Sequence, residues 1–545
     1  MVKPVIGLSF SGGGYRAATF DLGVLSFLNA VRLEDGSTLL DCVHALSSVS
    51  GGTIPAMKYM LARAEGKPVD GMIKEVFDFL CNENLVDLAL KRVREGKSDP
   101  ETSLIRIMAG IYDEKLFGHK DLGVIKDNLG NIPVKDYTAL ATDFKSSLPF
   151  RFRLCAGTLS NVSGKARVSY GIFGNNEHRI SRDDVHLITP GEALACSSCF
   201  PSGFEPMMFP DDFKFSKDET LAEKYRPAFG IMDGGISDNQ GIESILKAEE
   251  HLRKRREDQD RTDKALDLVI VNDVASPYMK REYKPCKVGL KSPAGKLDLE
   301  RLLKYGLVAG AITLLLFIFA LLMGWSFLAG VLAVILVIFV GFDIAGLVAK
   351  KVTLGVLAKT FIGHSADNLI GELKFSTVGN MMMNRAKSIF MMSSEVFLKR
   401  LRQMSYNTLY DDKEWNNRVI TNTVYSLREG EKWESLSRNN TLPEYLDPSD
   451  EMKENSATAA GMGTTLWFTK KDVEKGIPEA LFAAGQYSIC YKLLKYIYEI
   501  KLVKSKGLKV PQSNLTAAHD TIIGLEPTLR EFWDKFKEDC KCMLP

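Results

Sequence analysis

Two short turns near the start of the chain restrict its fold more than any other feature. An apolar strand, Pro4–Phe10, leads into Ser11-Gly12-Gly13-Gly14-Tyr15-Arg16, and a helix is predicted from Ala17 to Ala30. A second apolar strand, Cys42–Leu46, leads into Ser47-Ser48-Val49-Ser50-Gly51-Gly52. Because each strand is followed by a turn of small residues and then by a helical pattern, the sequence predicts an α/β fold.

Both turns have the form that acyl-transfer chemistry requires. The glycines Gly12–Gly14 leave main-chain N–H groups open to a developing negative charge, because no Cβ blocks the approach. The second turn resembles the nucleophile elbow G-x-S-x-G, in which small neighbours lift a serine off a strand end. Ser48 stands where that pattern has its first glycine, and Gly51-Gly52 follow, so Ser50 is the candidate nucleophile.

Further strands and one more turn extend the pattern. Strands are predicted at residues 137–143, 150–154, 166–170 and 268–274, and the last is a continuous apolar run of the buried parallel kind. The block Ala195–Pro206 begins as a short helix of small residues that proline stops. Asp233-Gly234-Gly235 places one carboxylate at the start of a two-glycine turn, which another main chain can approach closely.

A long uncharged segment predicts a membrane hairpin. Residues 305–342 contain no charge, and a single crossing needs only about 20 residues. The run therefore fits two crossings with a turn near Met323–Ser326, and no polar stripe suggests a soluble helix pair. The flanks are basic on both sides, at Lys287, Lys291, Lys296, Arg301, Lys304, Lys350, Lys351 and Lys359. This bias predicts that both ends face the cytoplasm, so the soluble parts can form one domain.

After the hairpin the sequence is mainly helical. Helices are predicted at 378–403, 477–501 and 527–540, and a polar loop or lid at 429–465. The predicted division is 1–300 for the catalytic core, 301–351 for the hairpin, 352–504 for a helical part with a lid-like loop that completes the core, and 505–545 for a C-terminal tail.

The charge and cysteine content restrict the classes of partner and cofactor that we expect. The 70 Lys and Arg residues against 68 Asp and Glu leave a net charge of +2, so we expect no nucleic-acid partner. The nine scattered cysteines favour free thiols in a reducing compartment. Cys196/Cys199 and Cys540/Cys542 make poor zinc knuckles, and no calcium-loop pattern is present, so we expect no metal and no cofactor. Because Met1-Val2-Lys3 leads directly into the first strand, we expect no secretory signal.

With these stretches identified, the chain resembles the patatin-like phospholipases. Four parts match in family order: the glycine turn with Arg16, the Ser50 elbow, the block Ala195–Pro206, and the Asp233 turn. They lie within residues 4–275, and the hairpin looks like an insertion into a bacterial-type patatin domain. The departures are Ala17 and Ser48 in place of glycines, and Gln240-Gly241 in place of Asn-Pro, and none removes a reacting group.

The resemblance implies a three-layer α/β domain with a mainly parallel central sheet, plus the inserted two-helix transmembrane hairpin. It implies a Ser50–Asp233 dyad without histidine, with an oxyanion hole at Gly12, Gly13, Gly14 and Arg16. Arg16 would brace that loop or meet a lipid phosphate. Ser48, Gly51 and Gly52 belong to the elbow, and Gly234 and Gly235 to the aspartate turn. The implied activity is hydrolysis of an acyl ester in a membrane phospholipid or its lyso form.

Two other interpretations stay open at this stage. A Ser-His-Asp esterase would also use Ser50 and recruit one of the seven histidines, and a catalytically silent membrane scaffold or receptor would keep only the fold. The predicted location is a two-span membrane protein with a cytoplasmic catalytic domain, in the inner membrane if the source is bacterial. A lipase facing its own bilayer needs control, through a homo-oligomer or an activating partner, and defence is one conceivable purpose.

Overall fold

A computed structural model describes residues 2–95, 103–158, 167–201, 203–255, 265–275, 284–285, 299–357, 375–415, 417–428, 442–506 and 517–545. Its main chain divides into two compact units. Residues 1–280 and 396–545 form one unit, here called the sheet unit, and residues 281–395 form the other, here called the apolar-helix unit. The predicted four-part division of the chain stays a prediction.

Ten strands are described: β1 (Ile6–Phe10), β2 (Val43–Val49), β3 (Asp136–Asp143), β4 (Pro149–Thr158), β5 (Arg167–Gly174), β6 (Arg179–Ile180), β7 (Met207–Phe209), β8 (Phe229–Asp233), β9 (Leu268–Asp273) and β10 (Val419–Thr423). The described α-helices are α1 (Gly14–Ala30), α2 (Thr53–Ala64), α3 (Val69–Asn82), α4 (Leu85–Arg94), α5 (Leu104–Tyr112), α6 (Gly123–Asn128), α7 (Pro190–Ser198), α8 (Glu219–Glu223), α9 (Gly235–Asp238), α10 (Ile242–Arg255), α11 (Leu299–Leu322), α12 (Ser326–Leu357), α13 (Phe375–Met391), α14 (Leu398–Tyr410), α15 (Asp450–Gly461), α16 (Lys470–Glu474), α17 (Ile477–Lys506), α18 (Ala517–Gly524) and α19 (Glu526–Glu538).

The strands form a single mixed sheet whose central part is parallel. The order is β10-β9-β1-β2-β3-β4-β5-β6, and the first five strands are mutually parallel. From β3 onward the pairing is antiparallel, and the short strands β8 and β7 join the sheet through β3. The predicted α/β class with a parallel central sheet is confirmed.

Both faces of the parallel strands are covered, as their uninterrupted apolar sequences require. In β9 the alternating side chains separate into two apolar clusters, Leu268 and Ile270 in one, and Val269 and Val271 in the other. Residues of α1 and α17 belong to the first cluster, and residues of α10 and α14 to the second. The sheet unit therefore has helices, sheet and helices in three layers.

Helices α1 and α17 pack closely against each other. Gly23 lies against the main chain at Phe482, where a Cβ would come within 3.0 Å of the carbonyl carbon. Gly485 lies against the main chain at Phe20 in the same way, at 3.1 Å. Two glycines facing each other let the helix axes come close, so α17, predicted at 477–501, holds the helix that follows the glycine turn.

The predicted polar loop at 429–465 is partly wrong, because α15 occupies residues 450–461. The Ser449 side chain accepts the N–H of Met452 as an N-cap, and two acidic residues stand in the first turn. Acidic residues there interact favourably with the helix dipole, so this polar stretch is a good helix start. Residues 429–441 of the predicted lid lie outside the described residues.

The apolar-helix unit contains the predicted turn between two helices. The chain turns at Met323–Trp325, where Gly324 has a φ of +72°, and a Cβ added to Gly310 would lie 3.8 Å from the Phe339 side chain. Among the described residues one helix, Lys304–Leu322, is long and apolar enough to cross a membrane, whereas the apolar part of α12 covers the shorter range Ser326–Gly341. The two-span topology stays a prediction.

Candidate active site

Ser50 lies at a sharp turn between β2 and α2. It has a φ of +50°, a left-handed conformation that is strained for a residue with a side chain. The next two residues must be glycine, because a Cβ on Gly51 would lie 2.7 Å from the Gly14 nitrogen and one on Gly52 would lie 2.8 Å from the Ser11 oxygen. Such crowding and strain are typical of a nucleophile elbow.

Ser48 takes the place of the first elbow glycine without disturbing the turn. Its side chain is buried, and its hydroxyl lies 3.2 Å from the hydroxyl of Tyr137 on β3. The hydrogen bond satisfies both groups inside the sheet, so the departure from the family pattern is absorbed locally.

The sheet brings the two predicted turns together because β2 and β8 meet end to end along one edge of β3. β2 runs parallel to β3 as far as Val49, which pairs with Leu140. β8 runs antiparallel to β3 and ends at Asp233, which pairs with Ala141. Because β4 pairs with the opposite edge of β3 at the same level, β8 must pair with the edge that β2 occupies, directly beyond the end of β2. The two strand ends thus face consecutive residues of β3, and Ser50 stands at the break.

Asp233 is buried, with 3% of its surface exposed, and its carboxylate lies near enough to the Ser50 side chain for that side chain to lower its pKa. Its Oδ1 also accepts the Gly235 N–H at 2.6 Å. Burial raises the pKa of Asp233 to about 7, while the bonds from Gly235 and Ser50 lower that pKa in part. A carboxylate with a pKa near neutrality and a serine hydroxyl beside it can act as a general base.

The glycines after Asp233 are required by close main-chain packing. A Cβ on Gly234 would lie 2.7 Å from the carbonyl carbon of Leu140, and one on Gly235 would lie 2.6 Å from Oδ1 of Asn239. The turn therefore presses directly onto β3, which keeps the carboxylate level with the elbow.

The glycine loop lies beside the elbow. The Gly12 N–H donates to the carbonyl oxygen of Asn239 at 3.0 Å, so it is not free for a ligand. The main chain of Gly14, with a φ of +61°, lies between Gly51 and Thr465. For the N–H groups of Gly13 and Gly14, no acceptor is present among the described residues. Of the predicted oxyanion loop, these two amides are the ones able to receive a negative charge.

Arg16 braces the glycine loop from behind. Its guanidinium is buried and donates to the carbonyl oxygen of Met462 at 2.8 Å and to the Thr464 hydroxyl at 3.3 Å. The Tyr15 N–H donates to the carbonyl oxygen of Thr465 at 2.7 Å. These contacts favour bracing over the direct oxyanion contact that the sequence also suggested for Arg16.

Sequence reasoning missed several groups that hold the site, because their signal lies in spatial contacts alone. Asn239 and Thr465 supply the carbonyl oxygens that hold the glycine loop. Ser197, inside the small-residue block, accepts the Ser50 N–H at 2.9 Å. The small side chains of that block were the one feature of the sequence that indicated close packing there.

No described histidine contacts the Ser50 or Asp233 side chain. His178 pairs with Asp143 at 2.6 Å, and His251 pairs with Asp136 at 3.1 Å. Asp136, His251 and Cys155 also come within 4.8 Å of one another, the spacing of a metal site. Because the Arg153 guanidinium already pairs with Asp136 at 2.6 Å, we interpret the group as an ion-pair network.

Neither a protein-family model nor a curated protein sequence matches the chain. Human GIVD cytosolic phospholipase A2 aligns at 17% identity with a TM-score of 0.30, over 53% of this chain and 48% of that one. The same protein in complex with methyl gamma-linolenyl fluorophosphonate aligns at 17% identity with a TM-score of 0.27, over 50% of this chain and 40% of that one. VipD from Legionella pneumophila aligns at 11% identity with a TM-score of 0.25, over 99% of this chain and 88% of that one. The chain thus spans about half the length of the human protein.

Proposed function

We propose that the chain is a lipid acyl hydrolase of the phospholipase A or lysophospholipase type that works through a Ser50–Asp233 dyad. One observation carries this proposal: β3 brings the Ser50 elbow level with the buried carboxylate of Asp233, whose pKa burial raises to about 7. Beside them lie two glycine amides for which no acceptor is present among the described residues. The four-part resemblance to the patatin-like phospholipases supports the choice of a lipid ester as substrate.

In the first half-reaction the Asp233 carboxylate takes the Ser50 proton while Ser50 Oγ attacks the ester carbonyl carbon. The carbonyl oxygen becomes an oxyanion, which the N–H groups of Gly13 and Gly14 stabilise, each contributing roughly 10²–10³ in rate. Collapse of the tetrahedral intermediate breaks the ester C–O bond, and the Asp233 proton passes to the leaving alcohol. An acyl group remains on Ser50.

In the second half-reaction a water molecule gives a proton to Asp233 and attacks the acyl carbonyl carbon. The same amides hold the second oxyanion, and the C–O bond to Ser50 breaks. Ser50 regains its proton from Asp233, and a fatty acid leaves. One base therefore serves both steps, so the cycle needs no histidine.

The proposed location is a membrane crossed twice, with both chain ends on the cytoplasmic side. The support is the apolar surface of α11, where Leu307, Leu315 and Phe319 are each more than half exposed. Apolar surface of that extent is stable in hydrocarbon and not in water. Anchoring would keep the site within a short aqueous gap of its substrate.

Deleting residues 305–349 should reduce hydrolysis of bilayer phospholipid by at least about tenfold, while hydrolysis of a short soluble ester changes little. The expected difference arises because only the bilayer substrate depends on local concentration at the membrane. Both rates are measured on the same preparations, with circular dichroism as the folding control. Equal loss on the two substrates would contradict the anchoring role.

The proposed activity is tested by lipid mass spectrometry on cells that express wild-type protein or Ser50→Ala. We expect phospholipid to decrease and free fatty acid or lysophospholipid to increase with the wild type alone. A fluorophosphonate probe should label the wild type at Ser50. Identical lipid profiles, together with an unlabelled Ser50, would reject the hydrolase and favour the silent scaffold.

A further inference from the structure

We propose that Ser197 is a positioning residue of this site, which holds the Ser50 elbow and the Asp233 turn in one arrangement. Ser197 is the second-last residue of α7 and is fully buried. The inference rests on the proposed function, since positioning has meaning only if Ser50 and Asp233 react together. It adds to the site a residue that belongs neither to the elbow nor to the aspartate turn and that no sequence motif indicates.

The Ser197 hydroxyl uses its full hydrogen-bonding capacity within the elbow. Its Oγ accepts the Ser50 N–H at 2.9 Å and donates its proton to the Leu140 carbonyl oxygen at 2.7 Å. The Thr53 hydroxyl lies 3.1 Å away. Because the Ser197 proton is directed to Leu140, Thr53 donates in this pair. One donor and two accepted bonds are all that a hydroxyl can supply.

The main chain at the end of α7 holds the other half of the dyad. The Ser197 carbonyl oxygen accepts the Gly234 N–H at 3.2 Å, and the Cys199 carbonyl oxygen accepts the Asp233 N–H at 3.0 Å. The last carbonyl groups of a helix have no partner within the helix, so they are available for such bonds. Ser197 therefore contacts the elbow through its side chain and the aspartate turn through its main chain.

The Ser50 conformation explains why the elbow needs this contact. Ser50 is held in the left-handed region, which is strained for a residue other than glycine. Such a conformation persists only when neighbouring contacts enforce it. Without the Ser197 hydroxyl, the Ser50 N–H, the Leu140 carbonyl and the Thr53 hydroxyl would each lose a partner inside a buried site. The strained turn would then have less to oppose its relaxation.

The adjacent residue supplies a matched control. Ser198 is also buried, with 2% of its surface exposed, but its hydroxyl donates to the Leu194 carbonyl oxygen within its own helix. Removal of either hydroxyl costs a buried hydrogen bond, and only removal of the Ser197 hydroxyl releases the elbow. A purely structural role would lower the melting temperature of both variants without a specific loss of kcat in Ser197→Ala.

The test compares Ser197→Ala, Ser197→Cys and Ser198→Ala in the full chain, with a short soluble ester as substrate. A displacement of about 1 Å can cost 10²-fold in rate, so we expect kcat of Ser197→Ala to fall about 10²-fold with KM nearly unchanged. Fluorophosphonate labelling of Ser50 should slow by a similar factor. Ser198→Ala should keep kcat within about threefold, although both alanine variants lower the melting temperature.

Ser197→Cys covers the case in which the alanine variant does not fold. A thiol fills the space of the hydroxyl, although it is somewhat larger, and it accepts hydrogen bonds only weakly, so we expect an intermediate kcat. A wild-type kcat in Ser197→Cys, or an equal loss in Ser198→Ala, would overturn the positioning role. If wild type and Ser50→Ala instead behave alike, the proposed hydrolase itself fails, and that result is distinct from the other two.

Discussion

Asp233→Asn is expected to reduce kcat by about 10²–10⁴-fold, because the amide cannot take the Ser50 proton. In the wild type, kcat/KM should fall about tenfold per pH unit below pH 7, since the pKa of Asp233 is about 7 and the carboxylate is the active form. Steady-state kinetics with a soluble ester between pH 5 and pH 9 measures both effects.

The same substitution should stabilise the protein above neutral pH. The folded state holds the Asp233 proton more tightly than the unfolded chain, whose Asp has a pKa of 3.8. Stability from this group is therefore complete below about pH 4 and is lost as the pH rises through 7. At pH 8 the free energy of unfolding of Asp233→Asn should exceed that of wild type by up to about 4 kcal/mol, and near pH 4 the two should agree.

Asp238→Asn is the matched control for Asp233→Asn. Asp238 is equally buried, and burial likewise raises its pKa, but its Oδ2 accepts the Glu243 N–H at 2.7 Å and makes no contact with Ser50. We expect its kcat to stay within about threefold of wild type. A histidine variant that matched the loss in Asp233→Asn would favour the Ser-His-Asp alternative.

Gly51→Ala is expected to abolish turnover, with a loss of at least about 10³-fold. An added Cβ would overlap the Gly14 carbonyl oxygen and lie 2.6 Å from its carbon. Both are main-chain atoms, so no rotamer change can relieve the clash, and the elbow must separate from the glycine loop. The attacking serine and the oxyanion amides would then no longer meet at one carbonyl group.

The control for Gly51→Ala is Gly461→Ala, where nothing lies within 4 Å of an added Cβ. We expect unchanged kcat and a stability change of no more than about 1 kcal/mol, measured by thermal melting. Activity in Gly51→Ala within tenfold of wild type would show that the elbow and the glycine loop do not act as one unit, and the proposed oxyanion assignment would then be wrong.

Features with a local cause could be predicted from the sequence. The sequence predicts a helix at 53–64, because the elbow must lead into a helix and the apolar residues that follow repeat with helical spacing, and α2 has these bounds. The turns at Gly12–Gly14 and Gly51-Gly52 are visible because only glycine tolerates such close main-chain contact. The same local reasoning failed for α15, whose polar residues resemble a loop unless the Ser449 cap is recognised.

Features that depend on distant contacts could not be predicted. The Arg16 guanidinium binds main chain and side chain near residue 462, and the Gly12 amide binds Asn239. No spacing in the sequence indicates either pair. As a result, the sequence suggested four oxyanion-loop residues, of which the contacts leave the amides of Gly13 and Gly14 available.

By itself, the sequence determined which groups can react: a serine on a strained turn, a carboxylate before two glycines, and a loop of bare amides. Each of these depends only on the identity of residues that are neighbours in the chain. The tertiary structure alone decided that the groups meet, because β8 approaches β3 from the opposite direction and ends where β2 ends. Hydrogen bonding between strands far apart in the chain sets that register, and burial in the same packing raises the pKa of Asp233 toward neutrality.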